Sequence, residues 1–148
     1  MSQFVATIKK IDNVDSLNIV EFAFYGAALK MMSLDLNSNM QIGKRVLLSV
    51  KPTNIIIGKN FLGDISLANK IVATIEQIEN GKLLSSILLK VEDIFLESII
   101  TCESSSRMNL QIGDEVTIFI KASDLSIEEV LNDWFIKKDR LNSIFHIF

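Results

Sequence analysis

A chain of 148 residues, 49% of them apolar, supports one compact domain or two very small ones without a disulfide or metal staple, which excludes a disordered chain. Its formal charge is −3, from 15 basic and 18 acidic side chains with no dense Lys/Arg run. Sequence-independent nucleic-acid binding needs cations to neutralise phosphates, so no nucleic-acid partner is expected.

The first segment, FVATIKKI (Phe4–Ile11), is rich in β-branched residues. Within it Val5, Thr7 and Lys9 alternate with Ala6, Ile8 and Lys10, the period of a strand. NIVEFAF then sets Ile19, Glu21 and Ala23 on one face and Val20, Phe22 and Phe24 on the other. NMQIG (Asn39–Gly43) follows, and VLLSVKPTNIII (Val46–Ile57) closes the first part.

IGKNFLGDISLANK (Ile57–Lys70), with Gly58, Gly63 and Asp64, reads as a linker running into a new strand. That strand, IVATIEQI (Ile71–Ile78), matches FVATIKKI, and each is followed by an acid and an Asn, in IDN and IEN. Further on, IFLESIIT (Ile94–Thr101) is apolar on both faces, interrupted by Glu97 and Ser98. Then NLQIG (Asn109–Gly113) and VTIFIKASDLSI (Val116–Ile127) echo NMQIG and VLLSVKPTNIII. The offset rises from 67 to 70, so the second copy carries about three extra residues in its middle. Matches in one order with one small insertion indicate a duplicated unit.

SSSRMNLQIG (Ser104–Gly113) predicts a single helical turn closed by Gly113 in a left-handed cap, with Gly43 doing the same in the first copy. Each copy is thus expected to hold about five short strands and one helical turn, the make-up of an OB-like small barrel. Strands apolar on both faces suit barrels covered by one another or by another subunit, so a homo-oligomer is expected. The expected organisation is all-β: a first barrel over 1–60, a second over 61–127 and a helical tail over 128–148. For the tail, Ser126 and Glu129 have capping-box spacing, and Val130, Leu131, Trp134 and Phe135 share a helical face.

Chemistry-bearing residues are few. Cys102 and His146 are the single cysteine and histidine, so neither an internal disulfide nor a thiol–imidazole metal cluster can form within one chain. IIIGKN lacks the spacing and hydroxyl of a phosphate-binding loop, and no nucleophile–histidine arrangement is available, so no enzymatic activity is expected. No apolar run spans a bilayer, and MSQFVATIKK lacks a signal-peptide pattern; the cytoplasm is the expected location, with no membrane partner.

Three pieces of the second copy, ISLANK (Ile65–Lys70), IITCESSSRMNLQIGDEV (Ile99–Val116) and IKASDLSI (Ile120–Ile127), together resemble the Mop/TOBE family. In that family a Ser-x-x-Asn motif leads into the barrel, a Thr-x-x-Ser motif precedes the helical turn, Gly-Asp-Glu-Val follows and a strand ends in Lys-Ala-Ser/Thr. The first copy matches only in VATI, QIG and VKPTNIII. The resemblance implies OB-type barrels that bind molybdate or tungstate between barrels, often across subunit interfaces. It also implies a role in storage, homeostasis or sensing, with a molybdate-transporter ATPase or regulator as a partner. The alternatives are an OB-type single-stranded nucleic-acid module, or an assembly partner with a degenerate anion site.

The donor inventory suits a tetrahedral dianion, which must exchange its water for converging hydroxyls, amides and a cation. On the matched positions Ser66, Thr101, Ser104 and Ser123 would offer hydroxyls, Asn69 its amide, Ala122 its backbone and Lys121 charge, and the turn from Ser104 would present unpaired N–H groups. The bland readings are an N-cap for Thr101 and a solvated surface position for Lys121. Glu103 is expected to face outward and Cys102 to be packing. Where the family often carries Arg, this chain has Ala68, so Lys70 or Lys51 compensates or the site is weaker. In the first copy SLDL (Ser33–Leu36) lacks the second hydroxyl and adds Asp35, making that copy chiefly a structural partner that lends Lys51.

Overall fold

The computed structural model describes residues 2–132. Strands β1 (Ser2–Val14), β2 (Leu17–Phe24), β3 (Ala27–Ser33), β4 (Arg45–Val50) and β5 (Ile56–Gly58) come from the first copy. The second copy gives β6 (Asn69–Asn80), β7 (Leu84–Val91), β8 (Ile94–Thr101), helix α1 (Cys102–Arg107), β9 (Glu115–Ile120) and β10 (Ser126–Leu131). A 3-10 turn precedes the last strand of each copy, at Pro52–Asn54 and Ala122–Asp124.

The duplication is visible in the ladders. β1 pairs antiparallel with β2 and β4 while β6 pairs with β7 and β9, in matching registers. Each long strand carries a bulge at the same place, between Ile8 and Lys10 and between Ile75 and Gln77. An extra residue there bends and twists the strand, letting one strand serve two partners along its length.

The last strands are exchanged. β5 pairs with β9 of the second copy, and β10 pairs with β4 of the first. The two five-stranded sheets therefore run β10-β4-β1-β2-β3 and β5-β9-β6-β7-β8. The result is all-β and OB-like, but neither sheet is made from one copy alone.

Alternation places Phe4, Ala6 and Ile8 inward from β1 and Ile71, Ala73 and Ile75 inward from β6. They join Phe22, Leu29, Leu48, Leu89, Leu96 and Ile118 in a single core shared by both copies. Phe119 is buried on the far side of β9 against Phe61 of the linker, with ring centroids 5.2 Å apart. Gly58 passes beside it, where even a Cβ would sit 2.9 Å from the ring.

Two braces tie the halves together, one per copy and at equivalent positions. Asn69, fully buried at the start of β6, accepts from the Lys30 backbone N–H (2.6 Å) and donates to the Lys30 carbonyl (2.8 Å). Ser2, at the start of β1, accepts from the Glu97 N–H (2.9 Å) and donates to its carbonyl (3.3 Å). The two hairpin tips also meet, with the Tyr25 hydroxyl donating to Asp93; that bond to a carboxylate raises the Tyr25 pKa.

Three expectations need correction. The helix expected from Ser126 is strand as far as Leu131, because the free edge of β4 offers the backbone a ladder; the rest of the expected tail lies outside the described residues. The first copy has no helix between β3 and β4, since it lacks the three residues that give the second copy room for α1. Gly113 does not cap α1: Asn109 (φ 49°) makes the left-handed exit, while Gly113 (φ 92°) turns the chain into β9 and donates to Ile75.

Candidate functional site

Thr101 ends β8 and caps α1. Its Oγ1 accepts from the Ser104 N–H (3.1 Å) and donates to the Ser104 Oγ (2.9 Å). The N-cap reading of Thr101 thus holds, and it leaves an exposed pair of hydroxyls in contact. The same corner is poorer in free amides than the sequence suggested. The Ser104 N–H is taken by Thr101 and the Cys102 N–H by the Leu83 carbonyl (2.9 Å). Cys102 is half-buried; its thiol donates to the Gly81 carbonyl (3.1 Å) and accepts from Ser85 (3.3 Å), so it faces away from the hydroxyl pair.

Sequence reasoning passed over Arg107. Its Nη2 donates to the Ser104 Oγ (3.0 Å), and its Nε pairs with the outward-facing Glu103 (3.2 Å). The signal was present as helical spacing, three residues from Ser104 and four from Glu103.

Behind the corner, Lys59 of the linker donates to the Asn109 carbonyl (2.7 Å) and pairs with Asp114 (3.0 Å). Asp114 also accepts from the Gln111 N–H (2.9 Å), and this bond, with Lys59 second, lowers its pKa. Linker and loop together hold the exit of α1.

The other candidates lie elsewhere. Lys121, Ala122 and Ser123 form the turn that packs on β3 of the first copy, while Lys51 enters the turn that packs on β8. Among the described residues, no hydrogen bond or ion pair joins Lys121 or Ser123 to Thr101 or Ser104. Ser66 and Ala68 are exposed in the loop before β6. Lys70 lines a cleft of about 280 Å³ with Tyr25 and Glu92. Asn69 is a brace whose oxygen and nitrogen are both occupied by Lys30. Hydrogen bonds thus join Thr101, Ser104 and Arg107, and among the described residues none joins Lys51, Lys70, Lys121 or Ser123 to them.

In the first copy the matching corner is closed on itself. The Ser33 Oγ accepts from the Asp35 N–H (3.2 Å) and donates to the Asp35 carbonyl (2.8 Å).

Residues 65–127, which contain this corner and the Lys121 turn, match the family model of the TOBE domain. The second copy is thus a TOBE domain. A TOBE domain is a binding module rather than a catalytic one. Among solved structures, the TOBE-domain chain is similar to the cytoplasmic molybdate-binding protein ModG in a molybdate-bound form. That match has a TM-score of 0.74 at 20% identity, over 84% of this chain and 93% of the other, a likeness of fold. A molybdate-binding protein from Sporomusa ovata aligns at 33% identity over 47% of this chain and all of its own, with a TM-score of 0.42. Comparison with curated protein sequences gives no match. Among the described residues of the TOBE-domain chain, no helix is long and apolar enough to cross a membrane.

Proposed function

We propose that this TOBE-domain protein binds molybdate or tungstate in the cytoplasm, for storage, homeostasis or sensing linked to molybdate transport. The observation that carries the reading is the exposed hydroxyl pair of Thr101 and Ser104, 2.9 Å apart within the TOBE match. A tetrahedral dianion has oxygens that accept from two such neighbours at once, and binding replaces their mutual hydrogen bond with two to the anion. The fold likeness to a molybdate-bound protein supports the same choice of ligand.

One chain leaves the shell open on one side. Lys121, Ser123 and Ser66 are exposed and have no side-chain partner among the described residues. They complete the shell from a second copy, with the Ala122 backbone, so the binding form is a homo-oligomer. The first-copy corner contributes no site of its own, because the Ser33 hydroxyl is committed to its own turn and Asp35 brings a carboxylate beside it. A transporter ATPase or a regulator is the kind of partner such a protein would supply with ligand.

Titration calorimetry with molybdate, with sulfate as control, tests the reading. Molybdate is expected to bind, and Thr101→Ala with Ser104→Ala to abolish it while the fold persists. Absence of heat at millimolar molybdate would reject it. Native mass spectrometry with and without ligand gives the chain count and the number of bound anions.

A further inference from the structure

We infer that Arg107 is the cation of the Thr101–Ser104 corner and contacts the bound anion directly. The inference rests on the oxyanion reading above and adds a residue that the motif positions do not include.

Desolvating a dianion against neutral hydroxyls alone is unfavourable; a cation within hydrogen-bond reach offsets the loss of water. Among the described residues, none of the lysines expected to supply one makes a hydrogen bond or ion pair with the corner. Lys70 lies in the cleft beside Tyr25, and Lys51 and Lys121 lead into turns packed on β8 and β3. Arg107 is already there, with Nη2 3.0 Å from the Ser104 Oγ, which is 2.9 Å from the Thr101 Oγ1. These three groups form a continuous polar arc on the surface.

The guanidinium is held for the task. It has five N–H donors in a rigid plane. Nε is fixed by Glu103 at 3.2 Å, and one Nη2 donor goes to Ser104, which leaves the outer edge of the fork toward solvent. An oxygen that accepts from the two hydroxyls lies close enough for a second oxygen of the same anion to accept from that edge. Glu103 has two opposed effects: it orients Arg107, and its charge repels the ligand.

That opposition supplies the test. Molybdate affinity is measured by calorimetry on the full chain for wild type, Arg107→Gln and Glu103→Gln, with thermal melts for folding. Gln keeps length and helix preference, so α1 survives in both variants. Losing one charge-assisted contact at an exposed site is expected to weaken binding about tenfold in Arg107→Gln. Glu103→Gln removes the repelling charge and is expected to bind as tightly as wild type or a few-fold more so.

A purely structural role for the Glu103–Arg107 pair makes both variants weaker by a similar factor, and that outcome overturns the inference. Unchanged affinity in Arg107→Gln also overturns it while leaving molybdate binding standing. A wild-type protein that takes up no molybdate removes both the inference and the reading beneath it.

Discussion

Replacing Asn69 by Ala isolates the contribution of one buried amide to holding the two sheets together. The side chain is wholly buried, and its oxygen and nitrogen serve the N–H and C=O of the single peptide residue Lys30, at 2.6 and 2.8 Å. Two hydrogen bonds contribute about 0.5–1.5 kcal/mol each, and a donor or acceptor left dry costs more. Lys30 itself is exposed, so water recovers part of the loss. The balance is about 2–3 kcal/mol. For a domain of this size that corresponds to roughly 4–12 °C in the melting midpoint. The equivalent brace, Ser2, bonds Glu97 at 2.9 and 3.3 Å from a single hydroxyl, so Ser2→Ala is expected to cost less, about 1 kcal/mol. Far-UV circular dichroism in urea follows both variants. A loss below about 0.5 kcal/mol in Asn69→Ala, or a larger loss in Ser2→Ala, would refute the assignment of Asn69 as the main polar tie.

Two further outcomes follow from packing and charge. Gly58→Ala places its Cβ 2.9 Å from the ring of Phe119, which is 1% exposed, and 3.3 Å from Phe61. Overpacking there is expected to destabilise by about 1–3 kcal/mol in urea unfolding, and a neutral result would mean that the linker yields. Asp114 has a lowered pKa in the folded chain, so its stabilising contribution is complete above the ordinary carboxylate value and is lost as pH falls toward the lowered one. Melting midpoints measured from pH 5 down to pH 2.5 are therefore expected to fall less steeply in Asp114→Asn than in wild type, and parallel slopes would contradict this.

The duplication was legible because two copies of one strand pattern, VATI with its following acid and Asn, must fold alike, and even the bulges coincide. The exchange of last strands was not. β4 and β9 offer nearly the same inward side chains, Val46 and Leu48 against Val116 and Ile118, so nothing in residue type says which partner takes which edge. The tail shows the same limit. Ser126 and Glu129 have helix-start spacing, yet Ile127 and Val130 suit a strand equally, and the open edge of β4 decided the matter through tertiary pairing. At the site, the hydroxyl pair was legible from its motif. Asn69 was not, because an amide that serves a ligand and one that serves the backbone are written with the same letter. Arg107 became visible only once α1 gave its side chain a direction.

The exchanged strands impose a timetable on synthesis. Ser49 and Ser126, which meet across the closing ladder of the first sheet, are 77 residues apart in the chain. On the ribosome the first half therefore waits with β4 unpaired along one side until nearly all of the second half has emerged. An open side of that kind is the place where a nascent chain is captured by a neighbouring copy. Arrival of β10 covers that side and removes the opening.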